Sequence, residues 1–335
     1  MIVPFFITNR GCPHRCLFCN QEISGGDDPR GWGADYFHAK MHAFLTGRAG
    51  RKRPADVTQI AFYGGNFTGL PPEEQERLLD WARLYIENGT VKGIRISTRP
   101  DCLSDGDGHR LAASGVRTVE IGAQSLVDGV LAASRRGHTA GDVTAAVALL
   151  RQKGLEVILH LMAGLPGDDP ATFAESVAGT AALRPDGVRL HPTLVLSGTP
   201  LAEEFLRGRY KPLSLPEAVE MCRQAWECLE KAGIAVIRLG LQASDLLSAP
   251  GAVLAGPYHP AFGALVAAAR WRERAFALLA AGDARGRKVI FSVPAGEESS
   301  FRGHRNCNVQ ALKEHFRLAS LDIEPGTGKL SCRCC

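Results

Sequence analysis

From its first residues to about position 240 the chain alternates short apolar runs with stretches whose apolar residues recur at helical spacing. No other feature narrows the fold as much. The runs at 2–7, 57–62, 93–97, 116–122, 156–162, 187–190 and 234–239 read as strands. Helices are expected between them, among them 34–45 and one opened by Pro71-Pro72-Glu73 that carries Leu78, Leu79, Ala82 and Ile86. Strands that alternate with helices call for a parallel sheet with right-handed crossovers. An open doubly wound sheet and a barrel both meet that demand, and periodicity does not choose between them.

Both architectures place their chemistry at the carboxyl ends of the strands, so those ends should carry glycines and polar residues. They do. After the expected strands come Gly64-Gly65-Asn66, Ser97-Thr98-Arg99-Pro100-Asp101, Gly122-Ala123-Gln124-Ser125, Gly164-Leu165-Pro166-Gly167 and His191-Pro192-Thr193. Gly64 and Gly65 have no side chain to keep a ligand from their backbone carbonyls, although a tight turn alone would also use them.

The first strand leads into Cys12-Pro13-His14-Arg15-Cys16-Leu17-Phe18-Cys19, three cysteines in C-x3-C-x2-C spacing. Pairing two as a disulfide would leave a reactive third, so a metal is the natural tenant. Closed zinc sites take four ligands, and the nearest fourth, His14, lies inside the loop. An iron–sulfur cluster held by three thiolates keeps one iron open to a non-protein ligand. Both metals stay open on spacing alone. The sequence holds ten cysteines and lacks both a secretion-type leader and the ~18 apolar residues a membrane span needs, so reduced thiols and a cytoplasmic location are expected. The net charge of +4 is concentrated locally at Arg48, Arg51, Lys52 and Arg53, which suits either a phosphate backbone or a solvated loop.

The cysteine spacing, with an aromatic before the last thiol, resembles that of the radical S-adenosylmethionine (SAM) superfamily. Further segments are similar, in order, to the radical SAM domain of the Elp3 family, the catalytic subunit type of the Elongator complex. They are Gly64-Gly65-Asn66-Phe67, Thr98-Arg99-Pro100-Asp101, Glu120-Ile121-Gly122-Ala123-Gln124-Ser125, Arg136-Gly137-His138-Thr139, His160-Leu161-Met162-Ala163-Gly164-Leu165-Pro166-Gly167 and His191-Pro192-Thr193-Leu194-Val195 with Gly198-Thr199. Oxygen-independent coproporphyrinogen III oxidase is similar more distantly. The resemblance implies an α/β fold with a partial (β/α)6 barrel, open on one side, over residues 1–242. It implies that Cys12, Cys16 and Cys19 ligate a [4Fe-4S] cluster, that Phe18 packs near the adenine of SAM, and that Gly64, Gly65 and Asn66 meet the methionine amino group. Gln124 and Arg136 would lie against the ribose and the methionine carboxylate, and His160 would stand where the oxidases place a ribose-binding Asp. SAM cleavage to a 5′-deoxyadenosyl radical, an electron donor such as flavodoxin or ferredoxin, and a tRNA base as substrate are the implied chemistry, with a tetrapyrrole as the alternative substrate. The acetyltransferase-type portion of the Elp3 family has no recognisable counterpart after Gln242, so acetyl-CoA-dependent modification is not expected of these residues. A reading of another class is a metal- or nucleic-acid-binding protein without catalysis, its cysteines holding zinc.

From Ser244 onward alanine and glycine become dense and Pro250, Pro257 and Pro260 punctuate a linker. Residues 243–335 are expected to form a small α+β subdomain covering the barrel, with helices at 262–279 and 309–318 and a strand at 289–293. Gly303-His304-Arg305-Asn306-Cys307-Asn308 offers donors to an anion or forms an ordinary capped turn. Cys307, Cys332, Cys334 and Cys335 make four thiols for a conceivable second metal, although C-x-C-C is not a usual cluster spacing. Cys102, Cys222 and Cys228 have no spacing partner and read as small buried hydrophobes.

Overall fold

A computed structural model describes residues 2–8, 10–24, 33–47, 59–242, 244–326 and 328–334. The basic group at Arg48, Arg51, Lys52 and Arg53, the turn expected at 25–29, the start of the strand expected at 57–62, and Cys335 lie outside the described residues. In chain order the first strands are β1 (Ile2–Phe6), β2 (Gln59–Tyr63), β3 (Gly93–Thr98), β4 (Val116–Gln124), β5 (Glu156–Ala163), β6 (Gly187–Pro192), β7 (Val195–Leu196), β8 (Ala235–Leu239) and β9 (Val253–Ala255). A curled half-barrel sheet of seven parallel strands runs β1-β2-β3-β4-β5-β6-β8, and β7 pairs with β9 in a separate antiparallel ribbon. The run at 234–239, which the sequence reads as a strand, supplies a seventh strand, β8, beside the six that the resemblance implies for the barrel. It arises because Ala235 and Val236 pair in register with Gly187 and Val188, which carries the sheet one strand past β6.

The two faces of this sheet have opposite chemistry, as alternation along a strand allows. One face presents Val119, Ile121, Leu159, Leu161, Val188 and Leu190, all fully buried. The helices Ala140–Gln152 and Pro170–Leu183 pack on β4 and β5, bringing Val143, Val147, Leu150, Phe173 and Val177 into the core. At the β1 side, Phe37 of the helix Ala34–Leu45 stacks on Phe5 with ring centroids 4.3 Å apart. The other face presents Arg95, His160 and Arg189, each hydrogen-bonded to Glu120 on the same face. An apolar outer face and a charged inner face explain why charged residues interrupt otherwise apolar strands.

The chain divides into two compact units, one of Met1–Leu213 with Cys228–Tyr258 and one of Ser214–Glu227 with His259–Cys335. In the second, β10 (Lys288–Pro294) is flanked by β11 (Ser320–Gly326) in parallel and β12 (Ser331–Cys334) in antiparallel orientation. The helices Phe262–Ala280, Glu298–Arg302 and Cys307–Phe316 complete it around Leu279, Val289, Phe291, Val293, Phe301 and Leu312. β11 and β12 have no strand signature in the sequence: β11 is an edge strand that tolerates Pro325, and neither has the dense apolar run of a central strand. Among the described residues no helix is long and apolar enough to cross a membrane.

Candidate active site at the strand ends

The parallel registers put the carboxyl ends of β1 to β6 along one edge, and the cysteine loop follows β1 there. One buried side chain fastens the loop. Asn66, wholly buried after β2, donates from Nδ2 to the Gly11 carbonyl at 2.6 Å. Its Oδ1 accepts from Thr98 Oγ1 at 2.7 Å and from the Arg99 backbone N–H at 3.0 Å. Residues 30 and more positions apart are thus joined at the ends of β2 and β3. The glycines beside Asn66 are required by crowding. A Cβ on Gly65 would lie 2.4 Å from the Ile7 carbonyl oxygen and 2.8 Å from that of Arg10, while Gly64 holds a φ of +77°. Farther along the loop, the Leu17 N–H bonds the Ser134 carbonyl and the Leu17 carbonyl accepts from Leu201 N–H. Phe18 is half-buried beside this anchor.

Two buried arginines face the thiols. Arg136 donates from Nη1 to Cys16 Sγ at 3.1 Å and from Nη2 to the Gly122 carbonyl at 2.5 Å, and its buried Nε has no partner. Arg99 clasps Asp101 through Nε and Nη2, both at 2.9 Å, bonds the Arg136 carbonyl, and leaves Nη1 buried without a partner. Burial pushes the Cys12 thiol up, while Arg99 and Arg136 oppose that rise. The Cys19 side chain is open at its surface, yet the protein packed around it and the Cys16 and Cys12 thiols push it up to about 12. Three thiols with two guanidiniums and two unmet N–H donors suit a negatively charged thiolate–metal centre. As they stand, no three ligand-type side chains among the described residues already form a metal cage.

Gln124 and Arg136 meet over Gly122. β4 leaves register with β5 between Ile121 and Gln124, and Gln124 takes a φ of +70°. A Cβ on Gly122 would fall 3.0 Å from Gln124 Nε2 and 3.3 Å from Arg136 Nη2, so both polar groups crowd that bare backbone. Nearby, His138 Nε2 donates to the Ala123 carbonyl, and burial with the neighbouring Arg136 and Arg99 pushes its pKa down to about 4.

Below this edge, Glu120 is the hub of the inner face. Its Oε1 accepts from Arg95 Nη1 at 2.7 Å, Arg189 Nη2 at 2.8 Å and Tyr63 OH at 3.1 Å, and its Oε2 from His160 Nε2 at 2.6 Å. These partners outweigh its burial and hold the carboxyl far below the usual range. His160 is therefore tied to a buried carboxylate through Nε2.

The structure brings the cysteine loop, Gly64, Gly65, Asn66, Gln124 and Arg136 to one edge, with His160 on the inner face beneath it. The sequence presents Arg99 and Glu120 only as parts of longer segments, with no role of their own. The signal for Glu120, Arg95 and Arg189 was a charged residue inside an apolar strand run. Other expectations fare differently. Cys228 is exposed, because it lies on the solvent side of the helix Leu215–Lys231, whereas Cys222 is buried. The Gly303–Asn308 segment is structural in part, since buried Asn308 donates to the Ala268 and Phe301 carbonyls. Cys332 packs on the β10 core, and no three potential metal ligands gather with it among the described residues.

Over residues 6–178 the chain matches the radical SAM superfamily, and over 185–272 the radical SAM C-terminal domain. With a half-barrel and a three-cysteine loop at its strand ends, the chain belongs to the radical SAM superfamily, a class of enzymes built on an iron–sulfur cluster and SAM. Its relatives are of the Elp3 type. It is 27% identical over 268 residues to the tRNA uridine(34) acetyltransferase of Methanocaldococcus jannaschii, covering 69% of this chain and 49% of that one. It is 33% identical over 187 residues to Elongator complex protein 3 of Homo sapiens, covering 50% of this chain and 34% of that one. The structure of Methanocaldococcus infernus Elp3 lacking residues 1–46 superposes with a TM-score of 0.62 at 25% identity, covering 82% of this chain and 63% of that one. The chain spans about half the length, or less, of these curated relatives.

Proposed function

We propose that this chain is a radical SAM enzyme in which Cys12, Cys16 and Cys19 hold a [4Fe-4S] cluster and whose substrate class is a tRNA base. The observation that carries the reading is the cysteine loop pinned by Asn66 to the ends of β2 and β3, with Arg99 and Arg136 set against its sulfurs. When bound, the cluster and SAM supply one-electron cleavage of SAM to a 5′-deoxyadenosyl radical that takes a hydrogen atom from the substrate. The residues then have separable roles. Arg136 neutralises charge on Cys16 and keeps Nε for a carboxylate, and Arg99 keeps Nη1 for the sulfur side. The bare turn at Gly64 and Gly65 offers carbonyls to the methionine amino group. Asn66, its carboxamide already engaged, positions that turn. Gln124 over Gly122 suits the ribose hydroxyls, His160 is held on the same inner face, and Phe18 is left for the adenine. The tRNA substrate class rests on the names of the Elp3-type relatives, and a flavodoxin or ferredoxin is the class of electron donor.

The test is anaerobic reconstitution with iron and sulfide, reduction with dithionite, addition of SAM, and assay of 5′-deoxyadenosine beside Cys16→Ala. Deoxyadenosine made by the native chain and lost in the variant is expected. A colourless, zinc-loaded protein that makes none would overturn the reading.

A further inference from the structure

The inner face carries more positive charge than its chemistry so far requires. Of Arg95, Arg189 and Arg238, only the first two reach the carboxylate of Glu120. Arg238 on β8 stands directly opposite Arg189 on β6 in the parallel register. Like charges placed side by side on neighbouring strands are destabilising. Arg238 has one weak bond, from Nε to the Gly240 carbonyl at 3.3 Å, and no carboxylate partner among the described residues. Arg189 Nη2 is also bonded to Tyr63 OH, yet its Nε is buried without a partner. His191 of the same strand has a buried Nε2 with no partner. Burial and the neighbouring cations push the His191 pKa down to about 3, so it stays neutral and able to donate one hydrogen bond.

A half-buried guanidinium without a counter-charge is costly, and so is a buried polar atom without a bond. Both costs fall away when an anion occupies the same place. We infer that the side of the half-barrel where Arg189, His191 and Arg238 meet is a subsite for a phosphate group of the substrate. Phosphate suits it better than a carboxylate because its several oxygens can accept from both guanidiniums and the imidazole N–H at once, with one negative charge as a diester and up to two as a monoester. The inference deepens the proposed function: it makes the substrate a phosphate-bearing nucleotide, free or within RNA, and rests on that reading for calling the ligand a substrate.

The test uses the reconstituted full chain with uridine 5′-monophosphate, inorganic phosphate, uridine and a short uridine-containing RNA, following melting temperature and binding heat. Uridine 5′-monophosphate and phosphate should raise the melting temperature, and uridine should not. Binding by the RNA as well assigns the phosphate to a polynucleotide, and binding by the mononucleotide alone to a free nucleotide. Arg238→Met should weaken phosphate binding at least about tenfold while the ligand-free protein melts no lower than the native one. Arg238→Lys should recover part of the affinity, since it restores the charge without the planar fork. Equal response to uridine and its monophosphate, unchanged phosphate affinity in Arg238→Met, or a large fall in its ligand-free melting temperature would overturn the subsite. Deoxyadenosine formation by the native chain without nucleotide tests the radical reading separately. A chain that makes it yet ignores phosphate loses the subsite alone.

Discussion

Asn66 shows how one carboxamide sets the geometry of a whole edge. Its two acceptor bonds and one donor bond join three segments, and Thr98 and Arg99 are buried with it. Asn66→Ala leaves the Gly11 carbonyl and the Arg99 N–H unmet, which costs about 2–4 kcal/mol in total. Urea unfolding should show that loss, and iron bound per chain after reconstitution should fall with it. Arg136 makes the complementary point about chemistry. Arg136→Lys keeps the positive charge but loses the planar fork that aims separate N–H donors at Cys16 and Gly122. Iron content should stay near the native value while deoxyadenosine formation drops roughly tenfold, the effect of one charge-assisted bond.

At the scale of an element, the turn after β2 and the helix Asp128–Ala133 give glycine opposite meanings. Gly65 lies so close to the backbone after β1 that Gly65→Ala must push the cysteine loop aside. A loss of about 1–3 kcal/mol in denaturant unfolding, with reduced iron loading, is expected. Gly129, in the helix, has nothing within 4 Å of its would-be Cβ. Gly129→Ala should therefore be neutral or stabilising by about 0.5–1 kcal/mol, because alanine restricts the unfolded chain. Equal penalties at the two positions would refute the packing argument.

For the whole molecule, buried histidines and one buried carboxylate make stability depend on pH in a single direction. His138 and His191 titrate at about 4 and about 3 in the fold, against about 6.5 when unfolded. Below pH 6.5 the unfolded chain takes up protons that the folded chain refuses, so stability falls as pH drops toward 4 and 3. The slope is on the order of 1.4 kcal/mol per pH unit for each group. Glu120 is held low by His160 and Arg189, so its contribution is present above the ordinary Glu pKa and is lost as pH falls below it. Thermal unfolding from pH 7.5 to 4.5 should show a steady fall in melting temperature, with a shallower slope in His138→Asn. A flat profile would mean that these groups are solvated in the fold.

The sequence alone determined the alternation of strand and helix, the parallel sheet, and the glycines and polar residues at the strand ends, because those patterns are local and repeat with the period of each element. It also determined the cysteine loop, whose spacing needs no tertiary information. Only the tertiary structure decided that the run at 234–239 joins the same sheet beyond β6, that Asn66 faces Gly11 and Arg99 rather than open space, and that Arg99 and Arg136 converge on the thiols. It alone made Glu120 the hub for Arg95, His160 and Arg189 and set Arg238 beside Arg189. Each of these depends on segments tens of residues apart being brought together, and within the sheet a shift of one residue would turn the side chains to the opposite face. Local pattern specifies which residues point inward, and long-range register specifies which of them meet.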